Sequence, residues 1–214
     1  TWSAQDSGTT ASLTSVYFLG DGLRGWVVGD GGTVLATRDA GNTWVAQANN
    51  TVTTLRSVHF ADDGLRGWAA APYAGALATR DGGRTWAVQA TPTAKNLRAL
   101  SFTGEGLQGW IAGSAGSLFA TRDGGSTWNP QATGTQASLM DVHFADDGVR
   151  GWVVGEHGTV LSSRDGGATW AGQASGTRAG LTSIHFADDG LRGWAAGHGG
   201  TVITSRDGGA TWTE

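Results

Sequence analysis

Three histidines occupy one recurring position in the sequence, at spacings of 42 residues or a multiple of 42. They are His59, His143 and His185, and the same position holds Tyr17 and Ser101 in the remaining copies. Converging imidazoles can bind a transition metal or form a pH-sensitive anion site. We favour a solvated or hydrogen-bonded role, so no metal and no cofactor is predicted.

Pairs of carboxylates are a second group that could support chemistry. They are Asp62-Asp63, Asp146-Asp147 and Asp188-Asp189, and they lie at the same place in three copies. This repetition favours turn formation over general acid–base catalysis. A sialidase-type hydrolase would need an arginine cluster, a tyrosine nucleophile and a carboxylic acid. The sequence holds only Tyr17 and Tyr73, and most arginines are repeated, so we predict no enzymatic activity and no catalytic residue.

The elements that position these residues are internal repeats, which the 11 tryptophans reveal. Both tryptophan series have a spacing of 42 residues, without insertion or deletion. The first series comprises Trp26, Trp68, Trp110, Trp152 and Trp194. The second comprises Trp2, Trp44, Trp86, Trp128, Trp170 and Trp212. We predict one domain over residues 1–214, with repeats 1–42, 43–84, 85–126, 127–168 and 169–210 and a partial copy at 211–214.

Each repeat is predicted to form four short strands. In the first copy they are Leu13 to Phe18, Gly25 to Gly29, Thr33 to Thr37 and Thr43 to Gln47, separated by glycine and aspartate. Four antiparallel strands in about 40–45 residues are typical of a propeller blade. The 37 glycines also exclude an all-helical fold. The predicted fold is therefore an all-β, five-bladed β-propeller.

The turn before each tryptophan of the second series has the pattern Ser/Thr-x-Asp-x-Gly-x-Thr-Trp. Its aspartate can accept hydrogen bonds from its own turn, and its glycine permits a positive φ. We assign these residues a structural role. They are Asp39, Gly41, Thr43, Trp44, Asp81, Gly83, Thr85, Trp86, Asp123, Gly125, Thr127, Trp128, Asp165, Gly167, Thr169, Trp170, Asp207, Gly209, Thr211 and Trp212.

Five copies of this pattern resemble the Asp-box, or BNR, repeat of sialidases and related propellers. Segments such as 181–186, 193–197 and 200–203 are similar to the photosystem II assembly (stability) factor-like branch. The resemblance implies a non-catalytic scaffold that assists a membrane complex, and an extracytoplasmic location. Members of that branch have more than five blades. The chain is therefore a complete domain, a fragment, or an engineered or recently amplified array.

The Thr-Trp strand occurs six times, once more than the number of blades. We expect the N-terminal copy, residues 1–5, to pair with the last blade and close the ring, with Trp2 packed in that blade. Such closure would remove exposed sheet edges. The expected state is a monomer, with strand exchange between chains as the alternative.

Residues that differ between copies are the candidates for binding. In a four-stranded blade the second turn and the inter-blade link share one face, opposite the Asp-box turns. On this variable face we place a ligand site near the central channel. Its candidate residues are Asp30, Tyr73, Ser114, Glu156, His157 and His198, together with the channel residues Tyr17, His59, His143 and His185.

The predicted partner is a protein or peptide. A net charge of −4 argues against nucleic acid, and no apolar segment is long enough for membrane insertion. Two alternatives stay open: a lectin-like propeller that binds carbohydrate, and a repeat propeller without an evolved ligand. The sequence itself does not identify a compartment.

Overall fold

The computed structural model describes residues 3–92 and 95–214. These residues form nineteen strands in five antiparallel sheets, with helix limited to three-residue 3₁₀ turns. The strands of each sheet follow one another in sequence order from the inner to the outer edge. The prediction of an all-β, five-bladed propeller is confirmed.

Blade 1 comprises β1 (Leu13–Phe18), β2 (Gly25–Gly29), β3 (Val34–Thr37) and β4 (Val45–Ala46). Blade 2 comprises β5 (Ser57–Phe60), β6 (Gly67–Ala71), β7 (Gly75–Thr79) and β8 (Ala87–Gln89). Blade 3 comprises β9 (Leu97–Phe102), β10 (Gly109–Gly113), β11 (Leu118–Thr121) and β12 (Asn129–Pro130). Blade 4 comprises β13 (Leu139–Phe144), β14 (Gly151–Gly155), β15 (Val160–Ser163) and β16 (Ala171–Gln173). Blade 5 comprises β17 (Leu181–Phe186), β18 (Gly193–Gly197) and β19 (Val202–Ser205).

The outer strands are shorter than the sequence predicted. The fourth strand of blade 1 covers Val45–Ala46 rather than Thr43 to Gln47. Thr43 is instead bound to Asp39 within the preceding turn, through both its amide and its hydroxyl. The Asp-box turn therefore includes Thr43, which the sequence had assigned to the strand.

Aromatic residues form the core between neighbouring blades. A tryptophan of the first series lies flat on a phenylalanine of the next blade, with ring centroids 3.3–3.8 Å apart and interplanar angles of 5–10°. The second-series tryptophan of that next blade meets the same phenylalanine edge-on, at 5.7–5.9 Å. Offset-stacked and edge-to-face contacts are the favourable arrangements of aromatic quadrupoles. The pairs are Trp26–Phe60, Trp68–Phe102, Trp110–Phe144 and Trp152–Phe186.

A glycine is required opposite each of these phenylalanines. Gly67 pairs with Phe60 across the first two strands of blade 2, and the phenyl ring folds over it. A Cβ on Gly67 would lie 2.5 Å from two atoms of that ring. The glycine of each Gly-Trp dipeptide thus leaves room for the phenylalanine ring of the neighbouring strand.

Within the described residues, the N-terminal segment does not form the predicted outer strand of the last blade. Trp2 lies outside the described residues, and Ser3 to Gln5 form no strand. Thr213 instead forms the antiparallel bridge to Thr204 beside β19, because Trp212 already packs against Phe186 in that blade. The side chain of Gln5 lies against Gly41 of blade 1, where its Oε1 is 2.6 Å from the position of a Cβ. The C-terminal copy therefore holds the place that we had assigned to the N-terminal strand.

Candidate functional site

The Asp-box turns form one hydrogen-bond network in all five blades. In blade 3 the hydroxyl of Thr121 donates to Asp123 at 2.8 Å and accepts from the amide of Gly125 at 2.8 Å. The other carboxylate oxygen of Asp123 accepts from the Thr127 hydroxyl at 2.7 Å. These hydrogen bonds hold the pKa of Asp123 below its usual value. Each member is thus engaged within its own turn, which favours the structural role over a binding role.

The first turn of four blades is closed by an ion pair between an arginine and an aspartate three residues earlier. The pairs are Arg24–Asp21, Arg66–Asp63, Arg150–Asp147 and Arg192–Asp189, at 2.7–2.8 Å. Asp63 also accepts hydrogen bonds from the amides of Leu65 and Arg66. The second aspartate of each pair of carboxylates is therefore a turn residue, as the repetition predicted.

The recurring histidine position lines the inner strands. Tyr17 and His59 are neighbours with ring centroids 4.5 Å apart, and His143 and His185 are 4.9 Å apart. Burial, and secondarily His143, lowers the pKa of His59 to about 4, while burial and His185 lower the pKa of His143 to about 4. Burial raises the pKa of Tyr17 to about 12, with a contribution from Asp62 and Asp146.

Tyr17, His59 and His143 are consequently uncharged at neutral pH. An anion site that relied on imidazolium from His59 or His143 would form only near pH 4. Within residues 3–92 and 95–214, no group of three or more histidine or acidic side chains is arranged to hold a metal ion.

Hydrogen bonds link the inner strands of successive blades. Ser15 accepts from the amide of Val58, and Ser57 accepts from the amide of Leu100. The third copy of this position is Ala99, and there the link is made by Ser101, which accepts from the amide of Phe144 at 3.3 Å. The serine that interrupts the histidine series therefore restores a link that Ala99 cannot make.

In the fourth copy the same link is made by a carboxylate. Asp141 Oδ2 accepts from the amide of Ile184 at 2.9 Å, and its Oδ1 accepts from the amide of Val142. Burial raises the pKa of Asp141 to about 6, although these hydrogen bonds oppose the increase.

The residues of the predicted variable face occupy the second turn of their blades. Asp30 accepts from the hydroxyl of Thr54 in the following link at 3.0 Å, and Glu156 accepts from the amide of Ser138 at 3.3 Å. Tyr73 is 70% exposed with a φ of 62°. His157 and His198 are exposed, and Ser114 is partly buried. These side chains lie at the second turns of successive blades.

A large cavity opens on the opposite face, between blades 1 and 2. It has a volume of about 790 Å³, within the range of roughly 300–1,000 Å³ typical of ligand pockets. Trp26, Val45 and Leu65 supply apolar walls, and four arginines against two aspartates supply the charge. The arginines are Arg24, Arg38, Arg80 and Arg84, and the aspartates are Asp39 and Asp81. Both aspartates are already bound to threonines of their Asp-boxes.

The glutamine beside this cavity has a different rotamer from its counterpart at the next boundary. Between blades 2 and 3 the side chain of Gln89 reaches the carbonyl of Gly124 at 3.4 Å, and the corresponding cavity is about 200 Å³. Between blades 1 and 2 the equivalent Gln47 donates to the carbonyl of Val45 in its own strand. Gln47 therefore does not reach the next blade as Gln89 does.

Sequence reasoning had not placed a site here, because repeated residues were assigned to structure. Arg38 and Arg80 recur in every copy, but Arg84 does not: the same Asp-box position holds Asn42, Ser126, Ala168 and Ala210. Arg38, Arg80 and Arg84 are exposed, and none of them forms an ion pair within the described part of the chain. The departure at Arg84 was the signal that could have located the cavity.

The fold and its cavity define a class: an Asp-box β-propeller with an arginine-rimmed cavity on the Asp-box face. The family model described as photosynthesis system II assembly factor YCF48 matches residues 1–89, 45–133 and 126–214. The chain therefore belongs to this family. A search of curated protein sequences finds no significant match.

Solved structures agree on the fold. A structure described as YCF48 bound to D1 peptide has 22% identity and a TM-score of 0.52, and the alignment covers 96% of this chain and 81% of the other. YCF48 from Cyanidioschyzon merolae has 20% identity and a TM-score of 0.52, covering 95% of this chain and 85% of that one. An ancestral GH74 enzyme has 17% identity and a TM-score of 0.78; the match covers 99% of this chain but 32% of the enzyme. At these identities the likeness to each structure concerns the fold alone.

No helix in the described ranges is both long and apolar enough to cross a membrane.

Proposed function

We propose that this protein is a non-enzymatic propeller that binds a peptide in the cavity between blades 1 and 2. Membership of the YCF48 family supports the class of partner, since a structure in that family is described as bound to D1 peptide. The observation that carries the proposal is the 790 Å³ cavity with Arg38, Arg80 and Arg84 at its rim.

The charge of the cavity favours an acidic segment. Guanidinium groups bind carboxylates through paired, charge-assisted hydrogen bonds. The two aspartates of the cavity are occupied by Thr43 and Thr85, so they compete little for these arginines. The local excess of positive charge stands out on a chain whose net charge is −4. A peptide with an acidic side chain or a free C-terminal carboxylate meets these requirements.

The carbohydrate alternative finds less support in the structure. Trp26, Trp68, Trp110 and Trp152 are only 1–3% exposed, so they offer no platform for stacking on a sugar ring. Trp194, at 44% exposure, is the first-series exception. The variable face and the channel stay as alternative surfaces for the same peptide.

The experiment is fluorescence anisotropy with three labelled peptides: the D1 peptide, an acidic peptide, and that acidic peptide with Asp and Glu replaced by Asn and Gln. Arg84→Ala should weaken binding of an acidic peptide by about tenfold or more, as expected for losing one charge-assisted hydrogen bond. The matched control is Arg206→Ala, an Asp-box arginine of blade 5.

Two further variants, Tyr73→Ala and His198→Ala, test the variable face. Unchanged affinity in both, with the loss in Arg84→Ala, would support the cavity. Equal binding of the acidic and amide peptides would contradict the electrostatic argument, and loss of binding only in the Tyr73 or His198 variant would move the site to the variable face.

A further inference from the structure

Three apolar side chains of blade 1 form one wall of the cavity between blades 1 and 2. Trp26 on β2 pairs with Ala36 on β3, and Ala36 pairs with Val45 on β4. Directly paired residues of an antiparallel sheet point to the same side of it, so the three side chains form a row across the blade. We call them the apolar row, and all three line the cavity. The row is buried at Trp26, which is 3% exposed, and reaches solvent at Val45, which is 61% exposed.

The outer end of this row is specific to blade 1. The equivalent rows of the next three blades end in alanine or asparagine, and no other copy has an aliphatic side chain larger than alanine at this position. These rows are Trp68–Ala78–Ala87, Trp110–Ala120–Asn129 and Trp152–Ser162–Ala171. Val45 therefore departs from the repeat, and it extends the apolar surface to the rim of the cavity.

Blade 2 supplies the opposite wall and holds it in a fixed position. Leu65 is 53% exposed and lines the cavity. The amide of Gly82 donates to the carbonyl of Leu65 at 2.9 Å, and the indole Nε1 of Trp26 donates to the carbonyl of Gly82 at 3.0 Å. A Cβ on Gly83 would lie 3.1 Å from the same Nε1. The backbone that carries Arg84 is thus anchored at the Trp26 end of the apolar row.

Two departures from the repeat consequently meet in one cavity. Arg84 comes from the Asp-box of blade 2 and Val45 from the outer strand of blade 1, and both line the cavity. A ligand that contacted the arginines alone would leave Val45 and Leu65 in water. Covering them with an apolar side chain is favourable, since it removes apolar surface from water.

We propose that the cavity recognises a two-part peptide motif: an acidic residue held by the arginines, and a large aliphatic side chain docked between Val45 and Leu65. The inference rests on the proposed function, because it takes the acidic peptide as the occupant of the cavity. Val45 is then a specificity-determining residue, which selects the aliphatic side chain, while Arg84 selects the acidic one.

The width of the blade sets the spacing of the motif. Neighbouring strands lie about 4.8 Å apart, so the apolar row spans roughly 10 Å from Trp26 to Val45. An extended peptide covers this distance in about three residues. The acidic and aliphatic residues should therefore lie within about three positions of each other in the ligand.

Fluorescence anisotropy with four labelled peptides tests the proposal. The peptides have the same Gly-Ser flanks and the cores Glu-Gly-Leu, Glu-Gly-Ala, Gln-Gly-Leu and Gln-Gly-Ala. The wild-type protein should bind the Glu-Gly-Leu peptide about tenfold more tightly than the Glu-Gly-Ala peptide, as expected for partial burial of a leucine side chain. Raising the salt concentration should weaken the preference for Glu over Gln and leave the preference for Leu over Ala, because ions screen only the charged contact.

Variants of the apolar row separate the two contacts. Val45→Asn, which installs the residue of blade 3, should abolish the preference for Leu and leave the affinity for the Glu-Gly-Ala peptide unchanged. Val45→Ala, the residue of blades 2 and 4, should have the same effect. Val88→Asn is the matched control, because Val88 is 64% exposed on β8 and lies outside the cavity, so this variant should keep the preference. Circular dichroism verifies that each variant is folded.

The outcomes distinguish this inference from the proposed function. Arg84→Ala should reduce the preference for Glu and retain the preference for Leu. If the wild type binds none of the four peptides, or binds the Glu and Gln cores equally, the proposed function fails and the inference fails with it. If the wild type prefers Glu but binds the Leu and Ala cores equally, or if Val45→Asn keeps the preference for Leu, the two-part motif is overturned and the acidic-peptide site stands.

Discussion

Asp141 in blade 4 accepts a hydrogen bond of 2.9 Å from the backbone amide of Ile184 in blade 5, where two earlier blade boundaries use a serine. A carboxylate here joins the inner strands of two blades while it is largely removed from solvent. Its two amide hydrogen bonds do not outweigh the loss of hydration, since burial raises the pKa of Asp141 to about 6. This one link therefore depends on pH in a way that the serine links do not.

Asp141 should make the fold less stable as the pH rises from about 4 to 6. The pKa of Asp141 is raised in the folded protein, so the folded state binds more protons than the unfolded state in this range. The effect is at most about 3 kcal/mol for a shift of this size. We expect Asp141→Ser, which installs the residue of blades 1, 2 and 5, to stabilise the protein at pH 8. Urea unfolding at pH 5 and pH 8 measures the change, and equal destabilisation at both values would contradict it.

His143 should make the fold less stable as the pH falls, over nearly the same pH range. Burial and His185 lower its pKa to about 4, so the unfolded chain takes up a proton first as the pH falls from 6.5. The stability associated with neutral His143 is lost between about pH 6.5 and 4. His143→Gln should reduce this acid-side loss, whereas Asp141→Ser should expose it. The same urea series, with the pKa of His143 followed by NMR, checks both slopes.

Replacing the stacked phenylalanine with alanine should lower the free energy of unfolding strongly in blade 4 and only slightly in blade 1. Phe144→Ala removes a ring that is 4% exposed and contacts both Trp110 and Trp170, so we expect a loss of about 3–5 kcal/mol. Phe18 is 37% exposed, and among the described residues its one aromatic-ring contact is with Trp44, at 6.0 Å. Phe18→Ala is therefore the matched control, measured by urea unfolding. Equal losses in the two variants would contradict the difference in packing between the two rings.

The Asp-box depends on a buried hydroxyl. Thr121 is 1% exposed, and its hydroxyl accepts from the amide of Gly125 while donating to Asp123. Thr121→Val keeps the shape but leaves that amide without its acceptor, so we expect a loss of about 1–3 kcal/mol. Thr127→Val, at an exposed position of the same turn, should cost less. Thermal unfolding of the two variants side by side gives the comparison.

A methyl group at Gly167 should displace the tryptophan of the preceding blade. Gly167 has a φ of 84°, and a Cβ there would lie 2.6 Å from Nε1 of Trp110. Gly134 also has a positive φ, 68°, but a Cβ on it would meet nothing within 4 Å. Gly134→Ala therefore reports backbone strain alone, about 1 kcal/mol, and Gly167→Ala should cost clearly more. Tryptophan fluorescence should shift in Gly167→Ala only.

The repeated architecture of the molecule could be predicted from the sequence. A constant spacing of 42 residues, glycine before one tryptophan and an Asp-box before the other predicted strands, turns and their stacking into blades. These features are local or act between adjacent repeats, so a pattern such as Gly67-Trp68 carries the packing information directly. The family resemblance rested on the same residues.

The tertiary structure decided where the cavity forms and which first-series tryptophan is exposed. Both depend on side-chain rotamers and on the neighbours of each blade, which the repeated sequence does not specify. Gln47 and Gln89 are the same residue in the same repeat position, yet only Gln89 fills the gap to the next blade, and the large cavity forms beside Gln47. Trp194 has the same sequence context as the four buried tryptophans of its series, yet it is 44% exposed, and none of the described phenylalanines stacks on it. Identical sequence positions thus acquire different environments, and only the fold brings Val45 and Arg84, from different blades, to one cavity.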